Sequence, residues 1–413
     1  MKIAVRLPIM KYLSLFLALF MTTAFAIDDG SPGLEQRDIE ALRDWINTKR
    51  QVTVKERGGN LSISGEVRTE LQSTNEKKNG IKQRGSGGQS PASMRAWDVE
   101  VNVMLDYRTD RTWATIKLEF DNDAGIEDGT FDKLSVERAF LGGRIVNADT
   151  YTMDLEIGRR NLGYTFDSKI MYSSFMDGIL YKYDQAFEVI GDFYFHGGPF
   201  LVNDKLDQYA YVGEFGLLNI GKTGLYSKLS SICWDTKHTA SKARNSAFRF
   251  IPIQLILGYK LRALDTIFTF YGAGLYNPVA HGTRVSYGKK QRWAWYTGFS
   301  VGELRKQWDW SLDINYQWVQ LQAIPDFDGG GISRGNALKY GLYSTKTHGK
   351  GDRLERGQGV GAGNYKGIAI ELLYLLTNNI TVYQAWRQSV NQDPSIKPTF
   401  SYKQYEFEVI YGF

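Results

Sequence analysis

Apolar and polar residues alternate along most of this chain. From Trp97 to Arg108, the residues Trp97, Val99, Val101, Val103, Leu105 and Tyr107 share one parity, and Asp98, Glu100, Asn102, Met104, Asp106 and Arg108 the other. Successive side chains of a strand point to opposite faces, so the segment predicts a strand with one apolar wall and one charged wall. The pattern returns at Trp308, Trp310, Leu312, Ile314, Tyr316 and Trp318 against Asp309, Ser311, Asp313, Asn315 and Gln317. It recurs around Tyr151, Met153, Leu155 and Ile157 against Thr152, Asp154 and Glu156. Aromatic residues gather toward the ends of these segments, where the interfacial girdles of a membrane barrel would lie.

About sixteen such segments are predicted, starting near residues 59, 97, 112, 134, 150, 177, 187, 208, 223, 248, 264, 292, 307, 365, 380 and 402. Their connections alternate in length. Short turns fall at Thr109-Asp110-Arg111, Asn147-Ala148-Asp149, Asp184-Gln185-Ala186, Ile220-Gly221-Lys222, Ala263-Leu264, Arg305-Lys306 and Thr377-Asn378. Long connections cover 73–96, 123–133, 163–176, 197–207, 235–247, 276–291, 321–363 and 389–401. Interleaved tight turns and long loops predict an all-β fold, a transmembrane antiparallel up-and-down barrel of about 16 strands over residues 59–413. A Greek-key sandwich has no reason to alternate in this way. Fourteen or eighteen strands also fit, because alternation breaks near residues 134 and 264. An even count places both termini on the same side, the periplasm for an outer-membrane barrel.

Upstream of the barrel, Lys2, Arg6 and Lys11 precede or open an apolar run from Tyr12 to Phe25, which closes on Ala24-Phe25-Ala26. That is the three-part pattern of a secretory signal peptide, here 1–26. Residues 27–58 then form a periplasmic N-terminal segment with a short helix near 34–50, where Leu34, Ile39, Leu42, Trp45 and Ile46 make one apolar stripe. Packing at the barrel rim is the simplest role for it, with a plug or an oligomerising helix as alternatives. No later apolar run reaches the roughly 20 residues of a membrane helix, which excludes a helical membrane protein.

Composition agrees without deciding. Aromatic residues are 14% of the chain, with 43 Gly and only 9 Pro, as in membrane barrels and also in some secreted sandwiches. Cys233 is the single cysteine, so an exported chain has no internal disulfide framework and depends on strand pairing. The formal charge of +5 falls by three, to +2, once the signal is removed. Bulk charge therefore gives no support to a nucleic-acid partner.

The chain ends on Phe413, preceded at every second position by Tyr411, Val409, Phe407 and Tyr405. This resembles the terminal signature that bacterial outer-membrane proteins present to the barrel-assembly machinery. Loop alternation, length and the opening segment Gly59-Asn60-Leu61-Ser62-Ile63-Ser64-Gly65-Glu66-Val67-Arg68 resemble the sixteen-stranded porins, including their phosphate- and carbohydrate-selective branches. The resemblance implies an outer-membrane location, contact with lipid and lipopolysaccharide, passage of small hydrophilic solutes, and a homotrimer. Gly158 to Ile170 resembles the third porin loop, which in that family folds into the lumen.

Two sets of residues are candidates for function. By parity Glu156 and Arg160 face the lumen, beside a third loop that supplies Asp167 and Lys169. They read either as a pore constriction with opposed charges, or as ion pairs that pin the loop to the wall. Other lumen-facing positions, among them Asp98, Glu100, Lys117, Glu119, Lys182, Lys228 and Asp313, carry both signs. No one-sided arginine ladder emerges. Outer loops hold a basic set, Arg284, Lys289, Lys290, Lys77 and Lys78, which would attract anionic solutes, bind lipopolysaccharide phosphates, or simply stay solvated.

Catalysis has little to stand on. Among four histidines, His196, near Asp192 by parity, is the only plausible base, its partners would have to come from other strands, and no motif names a nucleophile. No His or Cys pair stands at ligand spacing, so no metal, cofactor or catalytic residue is expected. The expected function is a water-filled porin for passive diffusion of small hydrophilic solutes and ions. The alternative is an adhesin that binds through basic loops on a barrel scaffold.

Overall fold

The computed structural model describes residues 52–56, 59–82, 94–123, 133–204, 207–235, 250–282, 287–325, 328–332, 363–396 and 399–413. The expected signal peptide and the helix near 34–50 lie outside the described residues. Sixteen antiparallel strands form one closed barrel. In chain order they are β1 (Gly59–Lys78), β2 (Met94–Arg108), β3 (Thr112–Asp123), β4 (Lys133–Asn147), β5 (Tyr151–Asn161), β6 (Phe175–Phe187), β7 (Gly191–Asn203) and β8 (Gln208–Ile220). They continue as β9 (Leu225–Asp235), β10 (Ile253–Ala263), β11 (Thr266–Tyr276), β12 (Trp293–Gly302), β13 (Trp310–Val319), β14 (Tyr365–Leu375), β15 (Ile380–Asn391) and β16 (Phe400–Gly412).

Each strand pairs with its sequence neighbours, and β16 pairs with β1 from Phe400↔Lys78 to Gly412↔Glu66. That last pairing closes the sheet. A short strand, Val52–Glu56, folds back on β1 with Val52 opposite Ile63 and Glu56 opposite Gly59. It continues the line of β16 and covers a stretch of edge that β1 would otherwise leave open. The end of the segment placed ahead of the barrel by sequence is thus part of its wall.

Two predicted connections are corrected. Asp184-Gln185-Ala186 lies inside β6, and the turn follows at 188–190. Gly191 marks the true corner: its φ is +117°, and a Cβ there would sit 2.2 Å from the Leu218 carbonyl oxygen. The long loop expected at 197–207 shrinks to 204–207, because β7 runs through Gly197-Gly198-Pro199 to Asn203. A Cβ on Gly198 would lie 2.0 Å from the Ile179 carbonyl oxygen. These glycines serve a close approach between strands and do not open a loop.

Apolar side chains cover the outer face: Val67, Ile116, Leu141, Ile157, Leu229 and Leu257 are exposed there. A belt of this kind needs apolar surroundings, since contiguous apolar patches on water-soluble monomers stay far smaller. Aromatic contacts rim both ends. Tyr276 meets Trp293, and Trp295 meets Tyr316 and Trp318, toward the long-loop end; Trp308 meets Tyr374 at the short-turn end.

Candidate functional site in the barrel lumen

The third loop, residues 162–174 between β5 and β6, folds into the lumen. It opens with a single 3-10 turn, Leu162–Tyr164, capped by Asn161, whose Oδ1 accepts from the Gly163 N–H at 2.8 Å. Ser168 braces the next bend: its Oγ accepts from the Ile170 and Met171 amides at 3.1 and 3.0 Å and donates to Gln254 Oε1 on β10 at 2.8 Å. Phe166, Ile170, Met171 and Tyr172 then sink into an apolar core with Leu180, Phe200, Val212, Ile232 and Ile256 of the wall. Leu321, Ile324 and Ile332 of the loop after β13 complete it. One side of the lumen at the long-loop end is therefore dry.

The structure divides the four constriction candidates into two sets. Glu156 and Arg160 pair on β5 at 2.6 Å. Glu156 also takes Lys182 Nζ from β6 at 2.9 Å and the Trp113 indole N–H from β3 at 3.0 Å. The Arg160 guanidinium lies over the Phe140 ring, 4.5 Å from its centroid. Asp167 and Lys169 instead reach across to far strands. Asp167 Oδ2 meets Lys228 Nζ of β9 at 2.7 Å, and its amide donates to Glu214 Oε2 of β8 at 3.0 Å. Lys169 Nζ meets Asp313 of β13 at 3.2 Å, and Tyr271 donates to the same carboxylate at 2.7 Å. Arg138 stacks over Tyr164 of the loop, 3.4 Å from the ring centroid, and sits directly opposite Lys117 across the β3–β4 pairing.

A second charged cluster, on β14, β15, β16, β1 and β2, escaped the sequence reading as a unit. Arg68 pairs with Glu66, with Glu100 at 3.2 Å and with Glu408 at 3.6 Å. Arg387 pairs with Glu406 at 2.5 Å and Glu371 at 3.2 Å. Between them Glu70 stands directly opposite Asp98 on one side and Glu408 on the other. Like charges in direct cross-strand register cost stability, and the two guanidiniums offset part of it. Carboxylate oxygens of Glu70, Glu406 and Glu408 lie within 4.8 Å of one another, an arrangement of the kind that takes a hard cation. Sequence signalled only the inward parity of some members, because strand register brings Arg68 and Glu408 together across more than 300 residues of chain.

Solvent reaches the two halves of the lumen unequally. On the dry side Asp313 and Lys169 keep 1% and 6% of their side-chain surface. On the other side Arg387 keeps 24%, Glu100 21% and Lys182 26%. Partly exposed charged groups thus stand on β15, β2 and β6, away from the inward loops, while Glu156 and Arg160 between them keep 4% each.

The basic loop set is dispersed. Lys77 and Lys78 are exposed at the long-loop end of β1, and Lys289 and Lys290 are exposed in the loop after β11; Arg284 lies outside the described residues. Tyr405, Val409, Tyr411 and Phe413 are exposed on the outer face of β16, with half-buried Phe407 in the same register.

No family model matches the chain, and no curated protein matches it by sequence. Among solved structures, OprB of Pseudomonas putida aligns over 86% of this chain and 94% of its own at 9% identity, with a TM-score of 0.51. A mutant porin of Rhodopseudomonas blastica aligns over 86% of this chain and 100% of its own, at 11% identity and a TM-score of 0.43. A loop-deleted OmpT, an outer-membrane protein of Vibrio cholerae, gives 12% identity over the same shares and a TM-score of 0.43. The likeness to OprB is one of fold: the chain has a porin-like sixteen-stranded barrel.

Proposed function

We propose that the protein is an outer-membrane porin that lets small hydrophilic solutes and ions diffuse through its lumen. The observation that carries this reading is the set of partly exposed charged groups on the inner face, Arg387, Glu100 and Lys182, away from the inward loops. A barrel built only as a scaffold has no need of solvated Arg387, Lys182 and Glu100 inside it, whereas passage through a sixteen-stranded barrel depends on such groups. The exposed apolar belt, rimmed by aromatic residues, suits a bilayer. Glu156 and Arg160 border the lumen and act as its constriction. Asp167 and Lys169 hold the third loop in place and thereby set the width.

Planar-bilayer recording of the refolded protein tests the proposal. Steady ohmic steps are expected, and the reversal potential across a salt gradient reports which sign of charge governs the lumen. Folded protein that inserts and passes no current would overturn the porin reading. Binding through the basic loops would then take its place.

A further inference from the structure

The two loops that fill the dry side of the lumen meet at one buried carboxyl. Asp328, in the loop after β13, is fully buried. Its Oδ1 accepts from the Ser174 hydroxyl at 2.8 Å and the Ser174 amide at 3.3 Å, and its main-chain carbonyl accepts from the Ser173 amide at 3.4 Å. A few residues on, the Gly330 amide donates to the Ile170 carbonyl at 3.0 Å. Oδ2 of Asp328 has no hydrogen-bond partner among the described residues.

Two features make this contact conditional. Tyr172, at the centre of the junction, holds a φ of +68°, a left-handed conformation that costs a bulky side chain energy and persists only while its surroundings enforce it. Among the described residues no cation pairs with the carboxyl. The charged groups of the third loop, Asp167 and Lys169, are committed to Lys228 and Asp313. Among the described residues the ionisable group facing Asp328 is the Tyr172 phenol, which burial keeps neutral; Glu214 and Asp167 act on that phenol.

We propose that Asp328 is a proton-controlled latch: its neutral carboxyl docks the loop after β13 onto the third loop, and ionisation loosens the docking and widens the lumen. The widening rests on the porin reading above; the latch itself does not. Burial supports it by pushing the Asp328 carboxyl from an ordinary 3.8 up to about 7, against the pull of the Ser174 hydrogen bonds. The docked state therefore binds a proton that the released state has already lost. Docking is strongest in acid, weakens tenfold per pH unit between about 4 and 7, and levels off above that, a span of about a thousandfold.

Hydrogen exchange at the Ser173 and Ser174 amides, corrected for intrinsic rate, reads the latch in the refolded full chain without any need for current. Protection is expected to fall as pH rises from 4 to 7, and to stay high in Asp328→Asn, which keeps a neutral acceptor. Asp328→Ala should be unprotected at every pH, while β-strand amides stay protected as proof of folding. Bilayer conductance should rise over the same pH interval in the native protein and stay at its acid value in Asp328→Asn. Protection that ignores pH, or that falls equally in Asp328→Asn, would overturn the latch. Protection that follows pH without any current would sustain the latch and remove the porin reading instead.

Discussion

The C-terminal ring of Phe413 rests on Gly65. A Cβ added to Gly65 would lie 2.5 Å from Phe413 Cζ and 2.7 Å from the Asn102 carbonyl oxygen. The two residues also exchange backbone hydrogen bonds, Gly65 N to Phe413 O at 3.1 Å and Phe413 N to Gly65 O at 3.0 Å. Gly65→Val must therefore push the ring aside and strain the β1–β2 pairing. The expected loss is about 1–3 kcal/mol, the usual cost of overpacking, read as a lower urea midpoint by tryptophan fluorescence. An unchanged midpoint would show that the ring swings free at no cost.

Phe413 does two separable things. Its backbone completes the seam between β16 and β1, and its ring supplies the last aromatic of the outward row with Tyr405 and Tyr411. Phe413→Ala keeps the seam and removes the ring; deleting the residue removes both. If the row is the assembly signature that it resembles, Phe413→Ala should already reduce folded protein in the outer membrane while refolding in detergent stays near normal. Equal loss in both settings would assign the ring to stability alone.

How much of this was legible beforehand depends on range. Alternation at Trp97–Arg108 or Tyr405–Phe413 fixes which side chain faces which wall, because parity is a property of neighbours in sequence. Most of the sixteen strands and the inward facing of Glu156 and Arg160 follow from that, while the strands near residues 134 and 264, where alternation breaks, rest on the spacing of turns and loops. Glycines mislead at Gly197 and Gly198, where the same residue type serves a loop or a close strand approach. The partners of Asp167 and Lys169, and the Arg68 and Arg387 clusters, could not be read. They depend on barrel closure and on where an inward loop lands, and neither leaves a local mark.

Lys169 and Asp313 pin the third loop to the far wall with almost no access to water. Removing one partner leaves a buried charge, which costs about 3–5 kcal/mol where the surroundings cannot relax. Lys169→Met is expected to destabilise the loop and to make current noisier or larger as it detaches. Adding Asp313→Asn should recover part of the stability, since the stranded charge disappears. A double variant as unstable as the sum of the singles would mean that the pair does not interact, and stability curves for the three variants decide it.

Glu156 is where charge selectivity should be most sensitive. One buried carboxylate there balances Arg160 at 2.6 Å and the partly exposed Lys182 at 2.9 Å. Glu156→Gln keeps an acceptor for the Trp113 indole while leaving both cations uncompensated, so the change is electrostatic more than structural. The reversal potential across a salt gradient should move toward anions. Size depends on screening: the Debye length is about 10 Å at 0.1 M salt and about 3 Å at 1 M. The shift should therefore be clear at 0.1 M and mostly gone at 1 M. A shift that survives high salt would point to a changed pore shape, and no shift at low salt would place the narrowest part of the lumen elsewhere, beside Arg68 and Arg387.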